Sequence, residues 1–432
     1  MSPEIEKFWK KHEDEAVERV PPEEEKSFTS LSFVYMGLTA SVTAFLVGSV
    51  LGASLSLGWG ILAIVLGNGF LALYGGLLGN IGREKKLSST IVMRGTYGLF
   101  GQAIPSAIIV FFLMGFLAVY GSLFGLLVNN LYSVVPAMVA SIVFILLVLF
   151  SALYGWTHLE LLSKIWIPLV SLFVIGSLYI VNKEMGLAAA LNASPGGSMT
   201  FPLAVSFVIG CWVAAATVSA DFGRYAKKKS HAFGGPMFGW LIFTSALEIV
   251  AFILALATGV GDLVEILVDL NILPLAFGIY LALMWTSGDN LLYSFSLAFS
   301  NIEQVFLKKE KIGRARWAIV GSTLAIIISI VMLSRGLVSS FQDMLLMIAT
   351  AIPPIGGILI SHYVILGGYK KDLLDVDMPK LNIATFVAWG LGILTAEYIT
   401  YSWTVPAING ILVAIVSYVV LEKLRRSFSE EE

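Results

Sequence analysis

The amino-acid sequence predicts an all-α polytopic membrane protein with twelve transmembrane helices. Three observations carry that prediction. Hydrophobic residues make up 57% of the chain and charged residues only 13%, at a mean hydropathy of +0.87, outside the usual range of soluble domains. Apolar stretches of roughly 20 residues, long enough to cross a bilayer core, recur along nearly the whole chain. Over such lengths only helices satisfy their backbone groups in lipid, and the alternating strands of an outer-membrane barrel are absent.

The stretches cover about 31–53, 59–82, 103–128, 134–154, 159–181, 201–222, 237–260, 272–299, 317–334, 343–366, 381–401 and 403–422. A charged segment, 1–28, precedes them; it carries Glu23-Glu24-Glu25-Lys26, a short amphipathic pattern around Ile5–Trp9, and no apolar core of a cleavable signal. Residues 84–100 suggest a short inner helix after span 2, and 262–271 an amphipathic flap at the outer surface before span 8. The longest loops, about 183–200 with the turn cluster Ser194-Pro195-Gly196-Gly197 and about 300–316, are too short for a soluble module. Gly48/Gly52 and Gly75/Gly79 have the spacing of close helix packing.

Lys and Arg set the orientation. Arg83, Lys85, Lys86, Arg224, Lys227, Lys228, Lys229, Lys308, Lys309, Lys311, Arg314, Arg316, Lys370, Lys371, Lys380, Lys423, Arg425 and Arg426 all fall on one side if both ends are inside, while the outer loops keep Lys183 and Arg335 of the 27 basic residues. Both termini, including the tail 423–432, are therefore expected in the cytoplasm, with the chain in the plasma membrane. The net charge of −2 says nothing of partners. The expected partners are the lipid bilayer and a small molecule, with no nucleic acid and no obligatory protein. A single cysteine, Cys211, excludes an intramolecular disulfide. His12, His158, His231 and His362 are scattered near loops or tails, so no metal or nucleophile site emerges and no enzyme is expected.

Two spans look interrupted. Span 1 carries Gly37-Leu38-Thr39-Ala40-Ser41-Val42-Thr43, and span 6 carries Gly210-Cys211-Trp212 followed by Ala214-Ala215-Ala216-Thr217. Five spans separate them, and interruptions so matched point to a transporter of inverted repeats with its site at the midplane. Span 8 adds an anomaly, the stretch Met284-Trp285-Thr286-Ser287-Gly288-Asp289-Asn290 within an apolar run. At about 100° per residue, Leu283, Thr286, Ser287 and Asn290 form one stripe with Gly288 and Asp289 on its flanks. Such a stripe of oxygens suits a hard monovalent cation; equally, Ser and Thr bond back to their own helix. Ionisable residues at membrane depth are expensive and usually functional. That singles out Asp289, then Glu248 and Glu160, whereas Asp221 and Arg224 read as a structural ion pair. Trp212 and Phe116 have the rings to clamp a flat ligand.

Taken together, "LSFVYMGLTA", "LGNGF", "TVSADFGRYAKK", "MWTSGDNLLY" and "AIPPIGGILISHY" resemble nucleobase–cation symporter family 1 (the purine/cytosine permease family), and within it the cytosine permease branch, over roughly 29–425. The resemblance implies a LeuT-like fold: inverted repeats at 29–182 and 201–366, with two added helices at 381–422. It further implies alternating access and import of a planar nitrogen heterocycle, commonly with sodium. Thr286 and Ser287 then match the sodium-binding hydroxyls, with Leu283, Gly37 and Ala40 as carbonyl donors; protonation of Asp289 or Glu248 is the rival coupling. At the substrate positions, Leu113 and Phe116 stand where cytosine-type members carry Gln and Trp. Cys211 and Ala214 replace polar neighbours of the span 6 aromatic, Trp212, and Gly288 replaces an Asn. A site short of these partners fits cytosine less well than a ligand read by Gly210, Ser41 and Asn290. Hydroxymethylpyrimidine-like thiamine precursors, hydantoins or allantoin and purines stay open, as does a proton-coupled amino-acid permease of the same fold.

Overall fold

The computed structural model describes residues 18–153, scattered positions between 161 and 183, 197, 199–258, 273–307, 313–368, 372–375, 378–399, 401 and 403–430. The expected amphipathic pattern at Ile5–Trp9, Glu160, most of span 5 and the flap at 262–271 lie outside the described residues. Those described are helical, apart from turns and one isolated bridge between Lys26 and Ala226.

Span 1 is two helices, α1 (Phe28–Thr39) and α2 (Val42–Gly52), bent by 58°. Next come α3 (Leu57–Lys85), the short α4 (Ser89–Tyr97) inside the expected 84–100, α5 (Ala103–Leu131) and α6 (Ala137–Ala152). The second half begins with α7 (Phe201–Thr217), α8 (Ala220–Gly223) and α9 (Lys229–Pro236). Wider π turns at Met237–Thr244 join α9 to α10 (Ser245–Thr258). The chain closes with α11 (Leu273–Leu307), α12 (Arg314–Arg335), α13 (Leu337–Ala351), α14 (Pro353–Ile360), α15 (Ile383–Tyr398) and α16 (Pro406–Glu430). Among the described residues six helical stretches are long and apolar enough to cross a membrane, the bent α1–α2 pair makes a seventh, and α6, α7 and α15 are apolar but shorter.

The breaks have local causes. At the end of α1, Ala40 (ψ 79°) and Ser41 (φ −133°, ψ 146°) leave the helical conformation. The Ala40 N–H still closes on Met36 O at 2.7 Å, and the Ser41 hydroxyl accepts from the Thr43 N–H at 3.2 Å, capping α2. In span 10, Pro353 and Pro354 supply no N–H to the preceding turn. The Trp389 indole takes the Ala351 carbonyl there at 2.8 Å. Span 6 corrects an expectation: α7 runs unbroken through Gly210, Trp212 and Ala216, and the chain leaves the helix at Val218–Ser219. Gly210 is small for packing; a Cβ on it would lie 3.1 Å from Ala349 Cβ of α13.

The helices gather in groups. α1, α2, α3 and α7 to α10 pack on one another; α5, α6, α11 and α12 form a second set; α14, α15 and α16 a third. Glycine sets the closest approach in the first. A Cβ at Gly48 or Gly52 of α2 would lie 2.2 or 2.3 Å from the carbonyl oxygens of Glu248 and Phe252 on α10. The end of the expected tail straps the basic face of the bundle. Val20 N–H donates to Lys86 O at 3.0 Å and Lys26 N–H to Tyr225 O at 2.6 Å. Glu25 pairs with Lys86, and Arg19 with Asp372, both at 2.6 Å.

Candidate substrate and cation site

The break in span 1 faces the middle of α11, where the first group of helices meets the second. The Ser287 hydroxyl lies 2.7 Å from Leu38 O and 3.1 Å from Ala40 O. A hydroxyl has one proton, so these two carbonyls share a single donor. Extended backbone at Ser41 takes its N–H out of the ladder that would otherwise cap Gly37 O. A knot of main-chain oxygens is thereby gathered at one serine, all of it buried. Of the expected span 1 donors, Ala40 is in this knot; Leu38 supplies the other contact, one residue beyond Gly37.

The rest of the α11 stripe turns back on itself. Thr286 Oγ1 donates to Ala282 O at 3.0 Å, with Leu283 O 3.3 Å away. The Asn290 amide donates to Thr286 O at 2.7 Å, while its Oδ1, also buried, finds no hydrogen-bond partner among the described residues. The flanking residues differ from the substrate contacts that the sequence offers. Asp289 accepts from Ser151 Oγ of α6 at 2.8 Å, and Ser151 in turn accepts from the Trp285 indole at 2.9 Å. Gly288 faces Leu117 and Val148, whose side chains would lie 3.0 and 3.3 Å from a Cβ. Both are turned towards α5 and α6, away from the break, because they sit off the stripe by about a quarter turn or more.

On α5, Leu113 and Phe116 are buried, and Phe116 meets Phe341 of α13 edge to face at 6.2 Å. One turn on, the Tyr120 hydroxyl receives the Ser41 Oγ proton at 2.8 Å, with Thr43 Oγ1 2.9 Å from the same serine. Tyr120 is a residue that the sequence reading missed; its signal was the i+4 spacing from Phe116 on one face. On α7, Cys211, Trp212 and Ala214 are buried, and among the described residues no acceptor meets the Trp212 Nε1 at full hydrogen-bond geometry. Glu248 on α10 is wholly buried and accepts from Asn68 Nδ2 of α3 at 2.6 Å.

Asp221 and Arg224 lie at the strapped end, away from this site. Asp221 accepts from Ser89 N–H, the first residue of α4, at 2.7 Å. Arg224 is wholly buried and donates to the hydroxyls of Tyr225 at 2.9 Å and Tyr293 at 3.2 Å. The opposite charges of Asp221 and Arg224 act on each other.

A broken span facing a hydroxyl-bearing helix, both inside an apolar helical bundle, defines a membrane transporter whose site lies within the helices. The family follows from comparison. Residues 19–421 match the family described as permeases for cytosine/purines, uracil, thiamine and allantoin, and the chain belongs to it. It is a multi-pass membrane protein and a nucleobase-type transporter, whose matched relatives are permeases and not enzymes. It is 26% identical to the cytosine permease of Escherichia coli (strain K12) over 414 residues, 94% of this chain and 93% of that protein. The fold is similar to that of Mhp1, a nucleobase-cation-symport-1 family transporter, in a closed conformation with bromovinylhydantoin bound. The TM-score is 0.82 at 16% identity, covering 95% of both chains. A Na+-coupled sialic acid symporter in a substrate-bound outward-open state gives a TM-score of 0.70 at 13% identity, covering 97% of this chain and 94% of that one.

Proposed function

We propose that the protein imports a nucleobase or related planar nitrogen heterocycle by sodium symport with alternating access. The observation that carries the reading is the Ser287 hydroxyl of α11 on the Leu38 and Ala40 carbonyls of the span 1 break. Sodium would be held by the Ser287 hydroxyl oxygen and these carbonyls, the hydroxyl keeping its proton and turning it away from them. Thr286 gives up its bond to Ala282 O to join it, with the Leu283 carbonyl and Gly37 completing the oxygens. A hard cation wants several such oxygens and no thiolate or imidazole. Because the ligands come from two packed groups of helices, the ion stabilises the state in which α11 and the break stand at this distance.

In this reading the chain has twelve spans: inverted repeats at 29–182 and 201–366, and a pair at 381–422. Both tails are cytoplasmic and the membrane is the plasma membrane. The heterocycle stacks on Trp212 with Phe116 opposite, lined by Leu113, Gly210, Cys211, Ala214, Ser41 and Asn290. The Asn290 Oδ1, buried without a partner among the described residues, accepts a ring N–H. Asp289 and Gly288 are scaffold. With Leu113 and Gly288 in place of amides, a ligand with fewer polar edges than cytosine fits better, since unpaired buried groups cost specificity steeply.

A thermal-shift screen of pyrimidines, purines, hydantoins, hydroxymethylpyrimidine-type thiamine precursors and amino acids, each with sodium and with choline, tests this. A heterocycle that raises the apparent melting temperature more in sodium is expected. Stabilisation by amino acids alone overturns the substrate class, and uptake driven by a pH gradient but indifferent to sodium moves the coupling to a proton.

A further inference from the structure

Glu248 is not used by the mechanism above, yet a carboxyl at this depth is expensive to keep. Three helices fix where it lies. Its own backbone is held against α2 at Gly48, where an added Cβ would lie only 2.2 Å from the Glu248 carbonyl oxygen. The Asn68 amide of α3 donates to one carboxyl oxygen at 2.6 Å. Helix α3 is in turn seated on α7 at Gly67, where a Cβ would meet Val208 at 2.6 Å. The second oxygen, Oε1, is buried and makes no hydrogen bond of standard geometry among the described residues. The carboxyl lies beside α7, within hydrogen-bonding reach of the Trp212 indole N–H. That N–H is itself buried, and no other acceptor among the described residues meets it. A buried donor and a buried acceptor, adjacent and otherwise unprovided for, each cost about 1–3 kcal/mol unless they serve one another.

We infer that Glu248, braced by Asn68, is a positioning residue for Trp212: its free oxygen holds the indole N–H and so sets the tilt of the ring on which the transported molecule stacks. This rests on the reading that Trp212 faces that molecule. An aromatic platform is useful only when its face is fixed, because stacking depends on ring offset and angle. A hydrogen bond at the ring edge fixes the angle without covering the face. The helices concerned, α2, α3, α7 and α10, all belong to one packed group. The bond therefore travels with Trp212 when that group moves against α11, and the platform keeps its tilt through the transport cycle.

The test is the indole N–H resonance of Trp212 in protein labelled with 15N-tryptophan, assigned among the 10 tryptophans by its loss in Trp212→Phe. Glu248→Leu is expected to move this resonance and leave the other indole peaks in place. Glu248→Gln, which keeps an acceptor oxygen, is expected to restore most of the shift. An unmoved Trp212 resonance in a folded Glu248→Leu protein overturns the inference, as does Gln moving it as far as Leu. Where Glu248→Leu does not fold, Asn68→Leu frees the carboxyl without removing it, and the same peak must move. These readouts need no ligand, so a Trp212 response in a protein that takes up none of the screened heterocycles supports the positioning while refuting the function.

Discussion

Replacing Ser287 by alanine separates a cation ligand from a helix cap. The hydroxyl sits 2.7 and 3.1 Å from two buried carbonyls that have left the helical ladder. Its removal leaves them short of a donor, which costs about 1–3 kcal/mol whether or not sodium binds there. The second effect is specific to the ion. At a sodium concentration about twenty times its Kd, binding stabilises the folded state by about 1.8 kcal/mol; a tenfold weaker site reduces this to about 0.65 kcal/mol. Cys211 is the only cysteine and is buried, so a thiol-reactive dye reports unfolding without further engineering. The variant is expected to melt earlier in choline and to gain much less from sodium than the wild type does. An equal sodium-dependent gain in both proteins, or unchanged sodium stimulation of uptake, refutes the assignment and leaves Ser287 as a cap.

Gly48→Ala places a Cβ 2.2 Å from the Glu248 carbonyl, a backbone atom that cannot swing aside. The loss is expected to be about 1–3 kcal/mol in the same dye assay, with Gly58→Ala, open on all sides, as the unaffected control. Gly288→Asn, which supplies the amide of cytosine-type members, is expected to lower stability without creating cytosine binding, because the side chain meets Leu117 and Val148. Isothermal titration with cytosine checks it. Asp372 titrates below the usual carboxylate range, first because the Leu374 N–H donates to it and then because of Arg19. A depressed folded pKa adds stability above the unfolded value of about 3.9 and loses it as pH falls through the folded one. Asp372→Asn should thus cost at most about 1 kcal/mol at neutral pH, the pair being well exposed, and the difference from wild type should close below about pH 4.

Much of the architecture was readable because lipid leaves so few options. A backbone that must satisfy itself internally is helical, and a run of apolar residues about 20 long marks each crossing. The described helices accordingly fall where the apolar runs fall, from Leu57–Lys85 to Pro406–Glu430. Gly37 to Thr43 announced the span 1 break, since Ser and Thr there offer the caps that a broken helix needs. The same reasoning placed a break within span 6, where the helix runs on from Phe201 to Thr217. Glycine serves close approach as readily as unwinding, and at Gly210 the neighbour Ala349 decides which. Helices also ran beyond their apolar cores, as α11 does to Leu307. There Asn301 finds Ser88 at 2.8 Å and Trp317 donates to Glu303 at 2.7 Å, partners that no hydropathy reading contains.

The sequence by itself determined that this is a helical membrane transporter and which stretch of α11 carries its polar chemistry, because composition and period are local properties. Which way each of those groups points was decided by the tertiary structure. Thr286, Ser287, Gly288, Asp289 and Asn290 are neighbours in sequence, yet Ser287 meets the Leu38 carbonyl and Asp289 meets Ser151. Successive residues on a helix project about 100° apart, so only the helices packed on either side settle what each one touches.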